Sequence, residues 1–510
     1  MLRFRFLPIR LLLFTTLLAA CALPMPASQP GAPTLPPATA SPSPAAQAAS
    51  ATPTPPAAAS PTPEPTPATP AAATQYDLQV EFDYYAHTLA VRQTIRYTNQ
   101  TGLALPDLLL VVRPLRWAGS FQLDTLTWAD GSPIPDVQVD DYLLRIPLDT
   151  PLAESSQIEL RLTYRLALPA IPPPEQAPRP LPYGYTERQT NLVDWYPYLP
   201  PYRPGQGWLA HDPGYFGEYL AYDLADYQVT LTLTEPVTGL VLAASAAPQQ
   251  DDLTYTFHLP AARAFAWSAS QQYQTLTAQV GETTVTSYFF PYHAAGGQAV
   301  LDATTQAVAL YNELLGAYPR PSLSAVEADF MDGMEYSGLY FLSRGFYDLY
   351  DGTPRGYLTA IAAHETAHQW WFDQVGNDQA LEPWLDEALC TYMERLFYER
   401  MEAEHPSGAA QPLVDWWWYF RVDFYEPAGP VNGTIYDFDS FRTYRDAVYL
   451  HGAQFLEALR LQMGDPAFFA FLRAYATQMS GRQATAADFF TILAEYAGDT
   501  SAIQAAYFTP

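Results

Sequence analysis

The spacing of apolar residues changes once along this chain, from every second position to every third or fourth, and that restricts it to a β-rich part followed by a helical one. From about residue 75 to 280, as in the runs 76–84 and 157–164, apolar and polar side chains alternate, the period of a strand with one buried face. Turn signals such as Asp130-Gly131 and the Asn and Gly at 99 and 102 punctuate the runs, so an antiparallel β-sandwich is expected over 75–280. Within it, the stretch 169–204 is rich in Pro, Tyr and Arg without a period; it reads as a long irregular loop that must pack against something to be ordered. After about Val285 the period becomes helical, over 297–315, 355–372, 382–399, 445–463 and two further stretches. One strand-like run, 324–330, precedes Asp332-Gly333-Met334-Glu335, which predicts a small sheet with an edge near that segment. The expected fold class is multidomain α+β, with a mainly helical second domain over 281–510.

Ahead of position 75 the composition cannot build a core. Arg3, Arg5 and Arg10 precede an uncharged apolar run over 11–20 that is too short to span a bilayer, the pattern of a signal peptide over 1–20. Its end, Leu18-Ala19-Ala20-Cys21, resembles the bacterial lipobox, in which the cysteine is acylated and becomes the new N-terminus. Residues 21–74 are nearly all Pro, Ala, Ser and Thr and read as an extended tether. The expectation is an exported lipoprotein, anchored at the cell surface or periplasmic face, whose membrane contact is the lipid on Cys21; a plain secretory signal is the alternative.

With 53 acidic against 25 basic residues the formal charge is −28, which repels a phosphate backbone and excludes nucleic acid as a partner. Cys21 and Cys390 are the only cysteines, so no disulfide framework holds the fold. Cys390, between Leu389 and Thr391, reads as a small buried apolar residue.

The chemistry concentrates in Ala363-His364-Glu365-Thr366-Ala367-His368. Histidines four apart on a helix share a face, so both imidazoles reach one metal ion, with Glu365 beside them. Glu387, separated from His368 by 18 residues, is placed to complete the set from a following antiparallel helix. Gly376-Asn377-Asp378 supplies the break and Pro383 suits the first turn of the second helix. Three protein ligands leave a fourth position open to water, whose proton an adjacent carboxylate accepts.

His-Glu-x-x-His followed by Glu387 within Trp384-Leu385-Asp386-Glu387-Ala388 resembles the gluzincin signature of the membrane alanyl aminopeptidase (aminopeptidase N) family. Asp332-Gly333-Met334-Glu335-Tyr336 resembles that family's Gly-Ala-Met-Glu-Asn exopeptidase segment, and Tyr449 with Gly452-Ala453 resembles its Tyr-x-x-Gly-Ala helix. The resemblance is strong over 325–460 and weak in the β part. It implies a thermolysin-like catalytic domain and one Zn²⁺ per chain on His364, His368 and Glu387. It also implies Glu365 as general base, Tyr449 as hydrogen-bond donor to the oxyanion, and peptide substrates. Glu335 would hold the substrate's free α-amino group, with Gly333 and Met334 beside it. Asp332, Gly333 and Tyr336 replace the family's Gly, Ala and Asn, and the sequence runs only a few residues past Gly498, so a more open cleft than in many members is expected. Two other readings remain: a zinc endopeptidase, if the altered segment admits internal peptide bonds, and a non-catalytic cell-surface binding protein on a peptidase fold.

Overall fold

The computed structural model describes residues 73–508 except 174–175, 177–179, 407 and 409–410. The expected signal peptide, Cys21 and all but the end of the tether lie outside the described residues.

The long strands of the β part bury one face each. In Thr74–Asp83, Tyr76, Leu78, Val80 and Phe82 point into the core while the residues between them face outward. This strand is the middle of a seven-stranded sheet, in the order Gln249–Asp251, Thr254–Ala262, Ala225–Leu233, Thr74–Asp83, Thr88–Thr98, Gln157–Ala167 and Phe121–Trp128. Its pairing with Ala225–Leu233 is parallel, unlike the antiparallel pairs expected, because these strands are distant in sequence and no hairpin fixes their direction. Three-stranded, four-stranded and two-stranded sheets complete this part. The aperiodic stretch over 169–204 supplies two short strands of the four-stranded sheet, Gly184–Tyr185 and Thr190–Leu192. It buries Trp195, Tyr196, Tyr198 and Leu199, which is how a segment without periodicity is ordered.

The expected domain boundary at residue 280 falls inside a hairpin, and the strand pattern runs on past Val285 to Phe289. Gln274–Val280 pairs with Thr283–Phe289, and both belong to a five-stranded sheet that continues through Ser322–Ala328 and Leu339–Ser343 to Gly333–Tyr336 at its edge. Helices follow: Ala294–Leu315 against this sheet, then Tyr357–Ala367 and Trp384–Glu404, which pack on each other, and Gly452–Met463, Asp465–Gln478 and Ala486–Tyr496. No helix among the described residues is long and apolar enough to cross a membrane.

Two buried arginines stitch the β part to the helical part. Arg263, on the loop after Thr254–Ala262, donates to the carbonyls of Tyr222, Asp373, Gln374 and Arg482. Its guanidinium lies against Gly376, where a Cβ would come within 2.3 Å of its central carbon. Arg320 forms a two-toothed pair with Asp373, at 2.8 and 2.7 Å, and donates to the carbonyls of Pro260 and Ala261. Together they fix the turn between the two helices that carry the histidines and Glu387. Removing one member of such a buried pair strands the other charge and costs about 3–5 kcal/mol. Arg320→Met is therefore expected to lower the urea midpoint strongly, and Arg320→Met with Asp373→Leu to recover part of the loss, both read by equilibrium unfolding.

Candidate active site

Leu358 to Ala367 are all buried, so the helix Tyr357–Ala367 has no solvent face and its polar residues must find partners inside. His364 is in its last turn and His368 at its C-terminal cap. The chain turns over the stretch anchored by Arg263 and enters the helix Trp384–Glu404 after Pro383, placing Glu387 in the first turn.

Each imidazole is oriented from behind. His364 Nδ1 lies 2.9 Å from Glu394 Oε1, and His368 Nδ1 lies 3.0 Å from the carbonyl of Trp371. With protons on the Nδ1 atoms, the Nε2 lone pairs face forward, the arrangement a metal requires. Both face Glu387 Oε2, at 3.1 and 3.7 Å. Ligands about 2.1 Å from a tetrahedral zinc stand roughly 3.4 Å apart, so these separations fit the ion. A second grouping, Glu335, Glu365 and His368, is as compact, but it offers one imidazole instead of two and suits zinc less well. Burial, then the nearby His364, holds His368 well below its ordinary pKa, which keeps it neutral and able to ligate.

Glu394 is itself held by Trp417 Nε1 at 2.9 Å and by Arg421 at 3.1 and 3.2 Å. Burial opposes its ionisation, but Arg421 and the His364 hydrogen bond outweigh it and keep its carboxyl below the usual range. The neighbouring Asp386 accepts from the Glu387 N–H and from Gln379 Nε2, and the same Gln379 nitrogen donates to Glu335 Oε1 at 2.8 Å. Gln379 thus links the segment holding Glu335 to the helix holding Glu387.

Glu365 is 4% exposed, and its Oε2 has no hydrogen-bond partner. Its other oxygen lies over Gly333, where a Cβ would meet it at 1.9 Å. The departure from the family's Ala at this position therefore makes room for the carboxylate. Gly333, Met334 and Glu335 lie on the edge strand, and all three line a cavity of about 340 Å³ together with His364, Glu365 and His368. Tyr449 is carried by a π-helical turn, Asp446–His451, a local widening that re-aims side chains. Its ring stands 6.1 Å from that of His364 and nearly parallel to it, braced edge-on by the buried Tyr444 at 5.7 Å. Burial, then the charge of Glu387, raises the Tyr449 phenol well above its ordinary pKa, so it remains a hydrogen-bond donor.

Glu218 had no signal in the sequence as a site residue. It arrives from the β part on the stretch 211–223, lines the same cavity, and lies close enough to Glu387 and Glu335 to perturb both. Burial pushes Glu335, Glu365 and Glu387 well above the usual carboxyl range and Glu218 upward as well, and neighbouring carboxylates add to the rise in each of the first three. With Asp194 and Asp332, six carboxyl groups line this cavity, and so many lose their protons together only when cations join them. Trp370, Trp371 and Trp416 to Trp418 line no part of it and serve as packing, and Cys390 is buried with its thiol toward the Trp371 carbonyl at 3.9 Å.

The Peptidase family M1 domain matches residues 300–507. Aminopeptidase M1-D of Oryza sativa subsp. japonica is 26% identical over 212 residues, 40% of this chain and 24% of that protein. Aminopeptidase N of Streptomyces lividans is 28% identical over 152 residues, 27% of this chain and 17% of that protein. The chain thus spans a quarter or less of the length of these curated relatives. Among solved structures, a mutant of the M1 zinc metallopeptidase of Deinococcus radiodurans bound to a Tyr-Ser-Ala substrate superposes with a TM-score of 0.59 at 19% identity, over 86% of this chain and 96% of that one. The unmutated enzyme gives 0.56, also at 19% identity, over 87% and 95%. That likeness is one of fold, and it extends through the sheet-rich part as well as the helical one. The stretch that matches the Peptidase family M1 domain, residues 300–507, contains both histidines, Glu365, Glu387 and Tyr449.

Proposed function

We propose that this chain is a zinc-dependent aminopeptidase, binding one Zn²⁺ through His364, His368 and Glu387 and releasing N-terminal residues from peptides. The observation that carries the reading is the meeting of three donor atoms within 4.8 Å of one another beside a buried carboxylate oxygen that has no partner. Zinc, when bound, supplies the Lewis acidity that polarises the substrate carbonyl. Glu365 takes the proton of the attacking water and delivers it to the leaving amine, a transfer for which its unpartnered Oε2 is free. Tyr449 donates a hydrogen bond to the oxygen that becomes negative in the transition state. Glu335, on the edge strand, and Glu218, facing it, pair with the substrate's ammonium. That second carboxylate favours the exopeptidase reading over the endopeptidase one, since an internal peptide bond brings no cation to neutralise it. An inert binding protein would have no use for a buried, unpartnered glutamate beside the ligand set.

The same proposal takes the chain to be an exported lipoprotein attached through Cys21, supported by the basic start, the short apolar run and Leu18-Ala19-Ala20-Cys21.

Metal analysis is expected to find about one zinc per wild-type chain and strong loss in Glu387→Ala, since two histidines alone hold catalytic zinc poorly; equal metal in both would place the third ligand elsewhere. Glu365→Gln is expected to keep its zinc while kcat falls by about 10²–10⁴, measured on an amino-acid anilide. Acetylating the amine of that anilide is expected to abolish cleavage by wild type, whereas Glu335→Ala should raise KM for the free amine; cleavage of the blocked substrate at the same rate would support the endopeptidase reading.

A further inference from the structure

Resting on the aminopeptidase reading, we propose that the buried pair of Arg113 and Asp194 decides which first residue the site accepts: each holds the other's charge, so the cavity takes large uncharged side chains, aromatic ones above all, and turns away basic and acidic ones.

The edge strand fixes the direction of the substrate. Gly333 lies over the Glu365 carboxylate, and Gln369, just past His368, donates to the carbonyl of Tyr336 at 3.0 Å. The strand therefore runs beside the helix Tyr357–Ala367 from Glu365 toward the C-terminal end of that helix. An ammonium at Glu335 sends the rest of the peptide back toward Gly333 and Asp332. Beyond Glu335 the substrate has no further main chain, so the cavity there is left to the side chain of the first residue. The walls at that end include Tyr219, Tyr222, Tyr336 and Phe372, with Arg113 and Asp194 beside them. Tyr222 ties the group together: its ring meets that of Phe372 edge-on at 5.9 Å, and its hydroxyl donates to Asp194 Oδ1 at 2.6 Å.

Both charged residues come from the sheet-rich part. Arg113 opens the short turn Arg113–Arg116 after Leu105–Val111, and Asp194 follows Thr190–Leu192 in the aperiodic stretch 169–204. Their side chains are 14% and 2% exposed. Arg113 Nη1 donates to Asp194 Oδ2, so with Tyr222 on Oδ1 both oxygens of Asp194 are taken. Tyr219, Tyr222 and Tyr336 surround the guanidinium, which also lies 5.7 Å from the ring centre of Trp117. Tyr336, at the position where the family's segment has Asn, stands beside both members of the pair; the other charge beside it is that of Glu335, which the substrate's ammonium meets. A lysine tip entering this end has to take Asp194 from Arg113, and a glutamate tip has to take Arg113 from Asp194. Either exchange strands a buried charge. An uncharged ring packs on the tyrosines and Phe372 and strands none. Arg113 Nε is buried without a partner, so the guanidinium has a donor in hand for a new carboxylate wherever Asp194 no longer claims it.

The test compares the anilides of phenylalanine, lysine and glutamate. In zinc-loaded wild type, kcat/KM for the phenylalanine anilide is expected to exceed that for each of the other two by about tenfold or more, the scale of one hydrogen bond to a charged group. In Asp194→Asn the glutamate-to-phenylalanine ratio should rise by about tenfold while the lysine ratio does not. In Arg113→Met the lysine ratio should rise and the glutamate ratio should not, and Arg113→Lys, which keeps the charge, should keep the wild-type order. Because each ratio is taken within one variant, partial misfolding cancels, and a pair with a structural role alone would lower all three rates together. Calorimetry on zinc-loaded Glu365→Gln with the amides of the same three amino acids should give the same order in Kd, independent of turnover and of any change to the pair. Equal rates for the three anilides in wild type, equal Kd values for the three amides, or ratios that stay at their wild-type values in both Asp194→Asn and Arg113→Met would overturn the inference. Failure to cleave the phenylalanine anilide would strike the aminopeptidase reading instead, and the order of the amides then decides the role of the pair by itself.

Discussion

Crowding of like charge in a space with little water governs this structure. Glu218, Glu335, Glu365 and Glu387 all face one cavity, and burial raises the pKa of each, with neighbouring carboxylates adding to the rise in the last three. A fold retains such a group only where cations enter with function, because desolvated carboxylates are otherwise among the most costly side chains to bury. In the function proposed above, a dication held by two imidazoles and Glu387 would remove most of the penalty, and an ammonium between Glu335 and Glu218 would remove more.

Placing these groups depends on supports well away from the cavity. Glu394 holds His364 only because Arg421 and Trp417 hold Glu394, and a carboxylate behind a ligating histidine both fixes the ring and raises its basicity. Gln379 bonds Glu335 and Asp386 with one nitrogen, so the amine-binding and metal-binding segments move together. Tyr449 is aimed by a π-helical turn and braced by Tyr444, which in turn packs on Phe216 from the β part. The sheet-rich part is therefore a wall of the site as well as a neighbour of it.

Residues whose placement follows from local spacing could be read from the sequence. His364 and His368 are one turn apart, and Glu387 opens the next helix. Glu394 has a usable sign: it lies two turns after Glu387 on the same helix, the spacing that returns a side chain to one face. Glu218 and Arg445 had no such sign. Glu218 lies far upstream in a stretch without period, and it reaches the cavity only because the chain folds back across it. Arg445 joins the cavity wall through three-dimensional packing alone. The altered exopeptidase segment was legible as a departure but not as a fit: that Gly333 admits the Glu365 carboxylate depends on a distance between strand and helix that no spacing rule supplies. The hairpin across residue 280 shows the same limit from another side. Its period-two pattern continues to Phe289, but which sheet it joins is decided by the parallel partner Ser322–Ala328 beyond an intervening helix.

The two halves also divide the chemistry in an order that follows from their physics. Helices present residues at fixed spacings along a rigid axis, so the atoms that must meet a metal within tenths of an ångström come from Tyr357–Ala367 and Trp384–Glu404. A sheet edge offers unpaired backbone groups at a regular rise, which suits a substrate of any side chain, and Gly333–Tyr336 supplies it. The rest of the wall comes in part from an irregular stretch, 211–223, anchored at its ends by His211 on Asp378 and by Tyr222 on Asp194. Such a stretch can change in length or composition without disturbing the two helices or the edge strand, so the extent of the cavity is set by the part of its wall that regular structure constrains least.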